Sequence, residues 1–518
     1  MKISKLIFTT GFLSLFSLSA FSQGPYGYYN DAIRFSQTTF GGTARFQGIA
    51  GATTALGADL GTLSSNPAGL GFYRKSDVSI TPGLNFASTR TNMLGTETRD
   101  NKVSFNIGNI GIVFSGAKDD LVPGKYRGGS FGISMTRTNN FQNQFTYNGF
   151  NKANTFGQSI AESARGLTYE EIAGQDLNAL TDIISLAYNA YLIDPIYCGE
   201  DIDGNLIQCP GNPWRANMSD NIVKQKEIVA TKGNQNQWDF AYGGNIDDKV
   251  YLGASLGIAS INYEASKVFT ETNTQTSDTI DSYSLYDNLT LRGTGIFFKV
   301  GAIVKPSDWI RIGITGQTPT YYSIRTTYEY KLKMNLNADF VNEYGIDGTF
   351  QSFSTLPGTY NYNLTTPARA KAGVALFAGK AGFISGDVEV VGYSGARLKG
   401  ADPQELDADN DVVKNLYKTT FNYNVGAEAR LGDYRLRAGY ARLGDPYRHG
   451  VMDNLDRTIN TITFGAGLRA DGFYADIAFV NTFYKSNYFS YHLNNGKEPM
   501  AIVNNRNTSL VITIGTSF

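Results

Sequence analysis

Polar and apolar residues alternate along most of this chain, from Ser76 to its last residue, Phe518. A period of two places successive side chains on opposite faces of a β-strand, so each alternating stretch predicts a strand with one dry face. Fourteen such stretches follow Asn66. After the first residues of the chain, no apolar run reaches the roughly 18 residues that a membrane-spanning helix requires. The chain is therefore predicted to be all-β, and a helical membrane protein is excluded.

The second face of each predicted strand decides between a soluble sheet and a membrane barrel. In one stretch, Phe421 and Tyr423 occupy one face, whereas Asn422 and Glu428 occupy the other. A face that repeats Arg, Glu, Asp, Asn and Gly suits a polar lumen rather than a second packed sheet. Aromatic residues crowd the strand ends, where membrane barrels place their aromatic girdles. We predict a transmembrane antiparallel β-barrel of fourteen strands over residues 76–518.

The links between the predicted strands alternate in length. Short links occupy residues 245–249, 306–308, 378–380, 432–433 and 471–472. Longer links occupy residues 148–237, 270–288, 331–357, 396–419, 445–458 and 486–506, with residues 91–101 placed in this long series and residues 118–126 in the short one. Outer-membrane barrels show this alternation, with turns at the periplasm and loops outside. Because the strand number is even, both ends of the barrel chain are predicted on the periplasmic side.

The chain begins with a stretch typical of a secretory signal peptide, residues 1–22. Lys2 and Lys5 precede an apolar core, and small residues mark a cleavage site before Gln23. The mature protein is therefore predicted to be exported. Residues 23–75 precede the first strand and are predicted to form an N-terminal extension and a compact, glycine-rich plug.

The plug is predicted to close on a tight turn formed by Asn66, Pro67, Ala68 and Gly69. Proline fixes its own φ and disfavours helix in the residue before it, while glycine permits bends that other residues resist. The Asn66 side chain can hydrogen-bond nearby backbone and fasten the turn. Taken alone, these residues also fit an ordinary surface turn. Their position between a signal peptide and an array of strands favours a turn within the plug.

Composition and cysteine content exclude several functional classes. The net charge of −1 argues against a nucleic-acid partner. In an exported protein, Cys198 and Cys209 are predicted to form a disulfide that closes a small loop. Metal binding is disfavoured, because His449 and His492 lie far from the cysteines in sequence.

The longest predicted link, residues 148–237, is predicted to be partly helical. Its apolar residues recur at helical spacing, namely Ile172, Ala173, Leu177, Leu180, Ile183, Ile184 and Ala187. Two interpretations stay open. The helices form a cap that packs on the barrel rim, or they form an external apolar groove in which a hydrophobic ligand first lands.

Several short motifs follow one another along the chain. They are Asn66-Pro67-Ala68-Gly69-Leu70, Leu291-Arg292-Gly293-Thr294-Gly295 with Gly301 and Pro306, Arg311-Ile312-Gly313 with Thr318-Pro319-Thr320, Thr366-Pro367 with Gly373 and Asp387, Leu436-Arg437-Ala438-Gly439-Tyr440, and the terminal Phe518. As an ordered set they resemble the FadL/TodX (OMPP1) family of outer-membrane transporters for hydrophobic compounds. The resemblance implies a fourteen-stranded barrel whose lumen is closed by an N-terminal hatch containing residues 66–69.

The resemblance also implies passive uptake of long-chain fatty acids or similar hydrophobic molecules across the outer membrane of a Gram-negative bacterium, with no cofactor. Ligand is expected to be captured by the external loops, to enter a lumen pocket, to pass a rearranged hatch and to leave sideways through the barrel wall. The exit is expected beside a kink in the third strand, at Thr138, Asn139 and Asn140. No local motif identifies the residues that bind the ligand. A monomer in contact with outer-membrane lipids is expected, with Phe518 read by the barrel-assembly machinery.

Other functions stay as alternatives. A haem receptor, another non-fatty-acid receptor and a porin-like barrel all fit the same fold. An outer-membrane lipid hydrolase fits less well, because it requires a nucleophile beside a histidine base, and His449 and His492 are the only histidines. Asp387 and Glu389 share one predicted strand face, but charges are common in barrel lumens. No enzyme is predicted.

Overall fold

The computed structural model describes residues 27–119, 123–176, 179–218, 222–274, 279–402, 404–450 and 455–518. The predicted signal peptide lies outside these residues. So does Leu177, one of the apolar residues that predict helix in the longest link.

The chain forms a closed antiparallel barrel of fourteen strands, as predicted. The strands are β1 (Asp77–Met93), β2 (Thr96–Ala117), β3 (Tyr126–Asn140 and Asn143–Asn151), β4 (Val223–Ile246), β5 (Val250–Asn273), β6 (Ile280–Ser307), β7 (Ile310–Gln317 and Tyr321–Leu336), β8 (Gly358–Thr365 and Arg369–Phe377), β9 (Gly382–Gly392 and Arg397–Lys399), β10 (Thr419–Leu431), β11 (Tyr434–Leu443), β12 (Ile459–Ala470), β13 (Phe473–Phe489) and β14 (Met500–Ser517). The first strand pairs with the last, from Asp77 opposite Ser517 to Asn92 opposite Ile502, and this pairing closes the barrel.

Eight helices lie between or before the strands in the described part of the chain. They are α1 (Tyr29–Ser36), α2 (Ala44–Gly48), α3 (Thr62–Ser65), α4 (Phe156–Ala164), α5 (Tyr169–Ala173), α6 (Ile183–Asn189), α7 (Ala338–Tyr344) and α8 (Asp407–Leu416). Two 3₁₀ turns, Pro67–Phe72 and Tyr393–Gly395, complete the helical structure. No helix in the described residues is long and apolar enough to cross a membrane.

The links define two ends of the barrel, which we call the short-turn end and the long-loop end. At the short-turn end, β4 and β5 are joined by residues 247–249 and β12 and β13 by residues 471–472. At the long-loop end, the link between β3 and β4 covers residues 152–222 and is shorter than predicted, because both strands extend further. The link predicted at residues 91–101 lies at the long-loop end, but its predicted length is wrong. There β1 and β2 run on to a two-residue turn at Leu94 and Gly95.

The outer surface of the barrel is apolar, as the alternation predicts. Phe421, Tyr423 and Val425 are each about half exposed on β10, while Asn422 and Asn424 between them are buried. On β14, Leu510, Ile512 and Ile514 are likewise exposed. These side chains face away from the lumen, where a bilayer would cover them.

The helices of the longest link pack into a cap at the long-loop end. Ile172, Leu180 and Leu186 are almost fully buried in one cluster with Phe269 of β5 and Tyr283 of β6. This burial favours the rim-packing interpretation over an open apolar groove for the described residues. Beside the cap, Cys198 and Cys209 form the predicted disulfide, with their Cα atoms 4.9 Å apart. The bond closes a hairpin formed by Tyr197–Glu200 and Leu206–Gln208.

Candidate functional site

Residues 27–75, which we call the N-terminal segment, run inside the barrel, and Asn66 lies at the centre of their contacts. Asn66 is fully buried, and its Oδ1 accepts a hydrogen bond from the Ala68 backbone N–H at 3.1 Å. Its Nδ2 donates to the Thr54 carbonyl at 2.7 Å and reaches the carbonyls of Ala302 and Ile314 at 3.4 and 3.3 Å. One amide therefore fastens the turn and also ties it to β6 and β7.

Glycines in the barrel wall allow the N-terminal segment to approach the strands closely. Gly253 lies directly opposite both Gly243 and Gly301 in the ladder. A methyl group on Gly301 would lie 1.9 Å from Asn66 Oδ1, and one on Gly253 would lie 2.3 Å from the Pro67 carbonyl carbon. Other wall glycines that meet the segment are Gly132, Gly313, Gly373, Gly426 and Gly439. A side chain at Gly313, Gly426 or Gly439 would displace the backbone of the segment.

Asp387 of β9 anchors the segment at Thr53 and Thr54. Its Oδ2 accepts hydrogen bonds from the backbone N–H groups of Thr53 and Thr54 at 2.9 and 3.1 Å, and from the Thr54 hydroxyl at 2.8 Å. Lys371 Nζ lies 3.4 Å from the same oxygen. The sequence placed Asp387 and Glu389 on one face, but it gave no sign that Asp387 binds residues more than 300 positions away.

An ion-pair network holds the segment at the short-turn end. Arg437 of β11 is fully buried and pairs with Glu428 at 2.8 Å and with Asp476 at 2.7 Å. From the N-terminal segment, Arg45 Nε lies 3.5 Å from Glu428 and Arg45 Nη1 lies 3.8 Å from Asp59. Buried pairs of this kind are costly to break, because removing one partner leaves a buried charge without compensation.

The third barrel strand is interrupted halfway along its length. Its ladder with β4 shifts register between Arg137 and Asn139, the strand ends at Asn140, and it resumes at Asn143. On the short-turn side of this point β3 pairs with β2, from Thr136 opposite Asn109 to Gly128 opposite Ala117. Residues 138–140, the predicted kink, therefore lie at the irregular point.

Beyond the interruption, β3 stays paired with β4 but no longer pairs with β2. In the described ladder, β2 residues 96–108 have no pairing partner on this edge. The second segment of β3 instead contacts β2 through side chains, since Asp100 accepts the Thr146 backbone N–H at 2.7 Å and the Thr146 hydroxyl at 3.1 Å. We call this break in the ladder the wall gap.

The N-terminal segment is hydrogen-bonded to the edge of the wall gap. The Thr39 backbone N–H donates to the Thr138 carbonyl at 2.9 Å, and Asn139 Nδ2 donates to the Gln37 carbonyl at 2.9 Å. A methyl group on Gly41 would lie 1.8 Å from the Arg137 carbonyl oxygen. Residues 37–41 are therefore in direct contact with the interrupted strand.

Two cavities lie on the long-loop side of the turn at residues 66–69, and both are lined by residues of α1. The gap cavity, of about 390 Å³, is lined by Ala87 of β1, Asn106 of β2 and Phe141 beside the wall gap, among others. The loop cavity, of about 340 Å³, lies nearer the long-loop end and is lined mainly by aromatic and aliphatic side chains. These include Phe145, Val229, Tyr263, Leu289, Leu291, Tyr328 and Tyr488. Both volumes are in the range of small-molecule pockets.

Arg34 on α1 lines both cavities. Its guanidinium lies 4.6 Å from the ring centroid of Tyr263 and forms an ion pair with Asp31. Asp31 also accepts a hydrogen bond from the Tyr362 hydroxyl at 2.6 Å. Burial raises the pKa of the Asp31 carboxyl, while Arg34 and Tyr362 stabilise its charged form. Lys267, also on the loop cavity, pairs with Asp287 at 3.4 Å.

Sequence reasoning missed Arg34 and Lys267 as candidate ligand-binding residues. Arg34 belongs to an extension that carries no family motif, and Lys267 is one lumen charge among many. A single basic residue on a short amphipathic helix gives no distinctive signal. Only the folded chain brings the two cations to one apolar cavity.

The two histidines show no hydrolase geometry. His492 Nδ1 lies 3.0 Å from Glu498, and His449 is exposed in the loop after β11. Among the described residues, neither ring is hydrogen-bonded to a serine hydroxyl. A nucleophile–base pair of the kind that a lipid hydrolase needs is therefore not formed by these residues.

Solved structures with this fold are known. The chain superposes on a FadL homologue from Pseudomonas aeruginosa with a TM-score of 0.53 and 12% identity, over 93% of this chain and 99% of that one. It superposes on the toluene transporter TodX of P. putida with a TM-score of 0.50 and 12% identity, over 92% and 99% of the two chains. No protein-family model and no curated sequence matches the chain. The protein is thus a membrane-type β-barrel with the FadL/TodX fold, and the resemblance seen in the sequence is confirmed at the level of fold.

Proposed function

We propose that this protein takes up hydrophobic small molecules passively across a Gram-negative outer membrane, with long-chain fatty acids as the leading class. The observation that carries the proposal is the gap cavity, which reaches the wall gap between β2 and β3. The FadL homologue has the same fold, as does TodX, and the description of TodX as a transporter of toluene supports a hydrophobic small molecule as ligand. The long-loop end then faces outward and the short-turn end faces the periplasm.

The physics of an alkyl chain favours a sideways exit. Moving such a chain from an apolar site into water costs roughly 0.8 kcal/mol per CH₂ group. A path along the axis would lead past the buried ions of Arg437, Glu428 and Asp476 into the aqueous periplasm. A path through the wall gap leads from the gap cavity to the bilayer and avoids most of this cost.

The loop cavity is the proposed capture site. Its aromatic lining suits an apolar chain, and Arg34 and Lys267 offer positive charge for a carboxylate. Because Arg34 also lines the gap cavity, a head group held there leaves the chain free to extend toward the wall gap.

The N-terminal segment is proposed to act as a hatch that ligand displaces. A ligand that pulls Arg34 away from Asp31 shifts α1. Residues 37–41 come directly after α1 in the chain and shift with it. These residues bond to Thr138 and Asn139, so the shift reaches the interrupted strand. Asn66 and Asp387 hold the rest of the segment in place, which keeps the lumen closed to polar solutes.

Filling the gap cavity tests the proposal. Ala87 is buried and lines this cavity from β1, so Ala87→Trp should block it and remove most of the uptake of labelled oleate in cells. Ala254→Trp is the matched control, because Ala254 lies on β5 between the lipid-facing residues Leu252 and Leu256. Both variants are compared at equal surface amounts.

Uptake of a small hydrophilic sugar by the same cells distinguishes the proposed transporter from a porin-like barrel. If uptake of a small hydrophilic sugar falls together with oleate uptake, the lumen is a general pore and the proposed function is wrong. If oleate uptake by Ala87→Trp equals that of the control, the gap cavity is not on the path.

A further inference from the structure

We propose that two outward-facing arginines, Arg292 of β6 and Arg325 of β7, bind the phosphate group of an outer-leaflet lipid. The site lies on the outer wall and takes no part in the transport path. The inference rests on the outer-membrane placement proposed above and goes beyond the uptake function.

The two arginines are direct cross-strand neighbours. Arg292 lies opposite Arg325 in the ladder of β6 and β7. Asn262 of β5 lies opposite Arg292, and Asn361 of β8 lies opposite Arg325. Both arginines are exposed. The four side chains thus form one row, Asn–Arg–Arg–Asn, across the outer face of neighbouring strands.

The row lines a shallow surface cavity of about 580 Å³. The next row on the same face supplies hydroxyl groups to this cavity from Ser260, Thr294 and Ser323. Guanidinium, amide and hydroxyl groups are all donors to phosphate oxygens. These donor groups line the cavity together with Ile261 and Ile324, on a surface that is apolar closer to the short-turn end.

The row lies at the level of lipid head groups. Four residues nearer the short-turn end on β5, β6 and β7, Ile258, Ile296 and Tyr321 form an exposed apolar row, which Trp238 of β4 extends opposite Ile258. Four residues of strand span about 13 Å, or about 10 Å along the membrane normal at a strand tilt near 40°. Trp and Tyr mark the membrane–water interface, and long arginine side chains reach back toward it.

The charge of the pair has no counterpart in the part of the chain that the structure describes. Among the described residues, neither Arg292 nor Arg325 has a carboxylate within ion-pair distance. Glu264, one row further along the face, is already paired with Lys232 at 2.7 Å. Like charges directly opposite each other destabilise a sheet. A phosphate between the two guanidinium groups removes this repulsion and matches their planar, two-pronged donors.

A second arginine pair in the same barrel shows the contrast. Arg90 of β1 lies directly opposite Arg99 of β2 on the outer face. Here Glu97 lies 3.5 Å from Arg90 and 3.0 Å from Arg99. The protein thus supplies a carboxylate, that of Glu97, to the pair Arg90 and Arg99. The pair Arg292 and Arg325 is left to bind an external anion.

The test measures lipid binding by purified full-length barrel in detergent. Titration with bisphosphorylated lipid A should show binding to the wild type, and R292Q/R325Q should weaken it about tenfold, because the charge-assisted hydrogen bonds are lost. R90Q/R99Q is the matched control and should bind like the wild type. Dephosphorylated lipid A should bind all three proteins equally weakly. Heat-modifiable migration on gels confirms that each variant is folded.

Three outcomes overturn the inference. R292Q/R325Q binds the phosphorylated lipid like the wild type, or R90Q/R99Q loses as much binding, or inorganic phosphate at the same concentration displaces the lipid. Oleate uptake by R292Q/R325Q should remain at the wild-type level. Lipid binding is measured on purified protein and does not depend on transport. The binding result can therefore be interpreted even if the uptake test shows that the proposed function is wrong.

Discussion

Gly301→Val should open the lumen to polar solutes while the barrel itself still assembles. A side chain at residue 301 enters the space of Asn66 Oδ1, since even a methyl group would lie 1.9 Å from that atom. Overpacking of this kind costs about 3 kcal/mol, and a shift of that size changes the population of a displaced hatch about a hundredfold. Valine itself suits a β-strand, so the ladder of β6 is kept.

Sensitivity of cells to a bulky hydrophilic antibiotic is the measurement for Gly301→Val. Gly316→Val on the neighbouring strand β7 is the control, because no atom lies within 4 Å of a methyl group placed there. The control should behave like the wild type. Equal antibiotic resistance of Gly301→Val and the control, at equal surface amounts, would show that the contact with Asn66 does not keep the lumen closed.

Asp387→Ala should have the second largest effect, and it should act from the other side of the hatch. The substitution removes the acceptor for three hydrogen bonds from Thr53 and Thr54 and leaves Lys371 without its partner. Removing one partner of a buried ion pair costs roughly 3–5 kcal/mol. We expect a loosened hatch, seen as higher antibiotic sensitivity and altered oleate uptake.

Two further variants make the Asp387 result specific. Ser385→Ala changes a buried side chain on the same face of β9 whose hydroxyl has no hydrogen-bond partner among the residues that the structure describes, so it should change neither readout. Asp387→Asn keeps one acceptor oxygen and should lie between Asp387→Ala and the wild type. If Ser385→Ala and Asp387→Ala behave alike, Asp387 is only a lumen-facing charge.

The membrane-facing part of the fold is readable from the sequence, because lipid on one side forces a dry face. Phe421, Tyr423 and the last strand show it directly. Beyond the membrane this force is absent. Residues 96–102 are polar on both faces, so the pattern fades and the tight turn at Leu94 and Gly95 was predicted as a longer link. The end of β5, where residues 270–273 are all polar, was missed for the same reason.

The candidate site was harder to predict than the barrel. Asn66 is marked by its proline and glycines, and the irregular point at residues 138–140 by a run of polar residues. The partners of these residues are not marked. Asp387 and Gly301 contact residues that are hundreds of positions away in the sequence. Helix α8, which packs beside α1, was not predicted at all. Contacts at this distance depend on barrel closure, which a local pattern does not encode.

The central claim is that a hydrophobic ligand leaves through the wall gap and not along the barrel axis. Photo-crosslinking of a diazirine-bearing long-chain fatty acid to the wild-type protein in membranes, mapped by mass spectrometry, tests it most directly. The account predicts adducts on loop-cavity residues such as Tyr263 and on Asn106 and Phe141 at the wall gap. Adducts at the short-turn end, on Arg430 or Arg435, with none at the wall gap would contradict it.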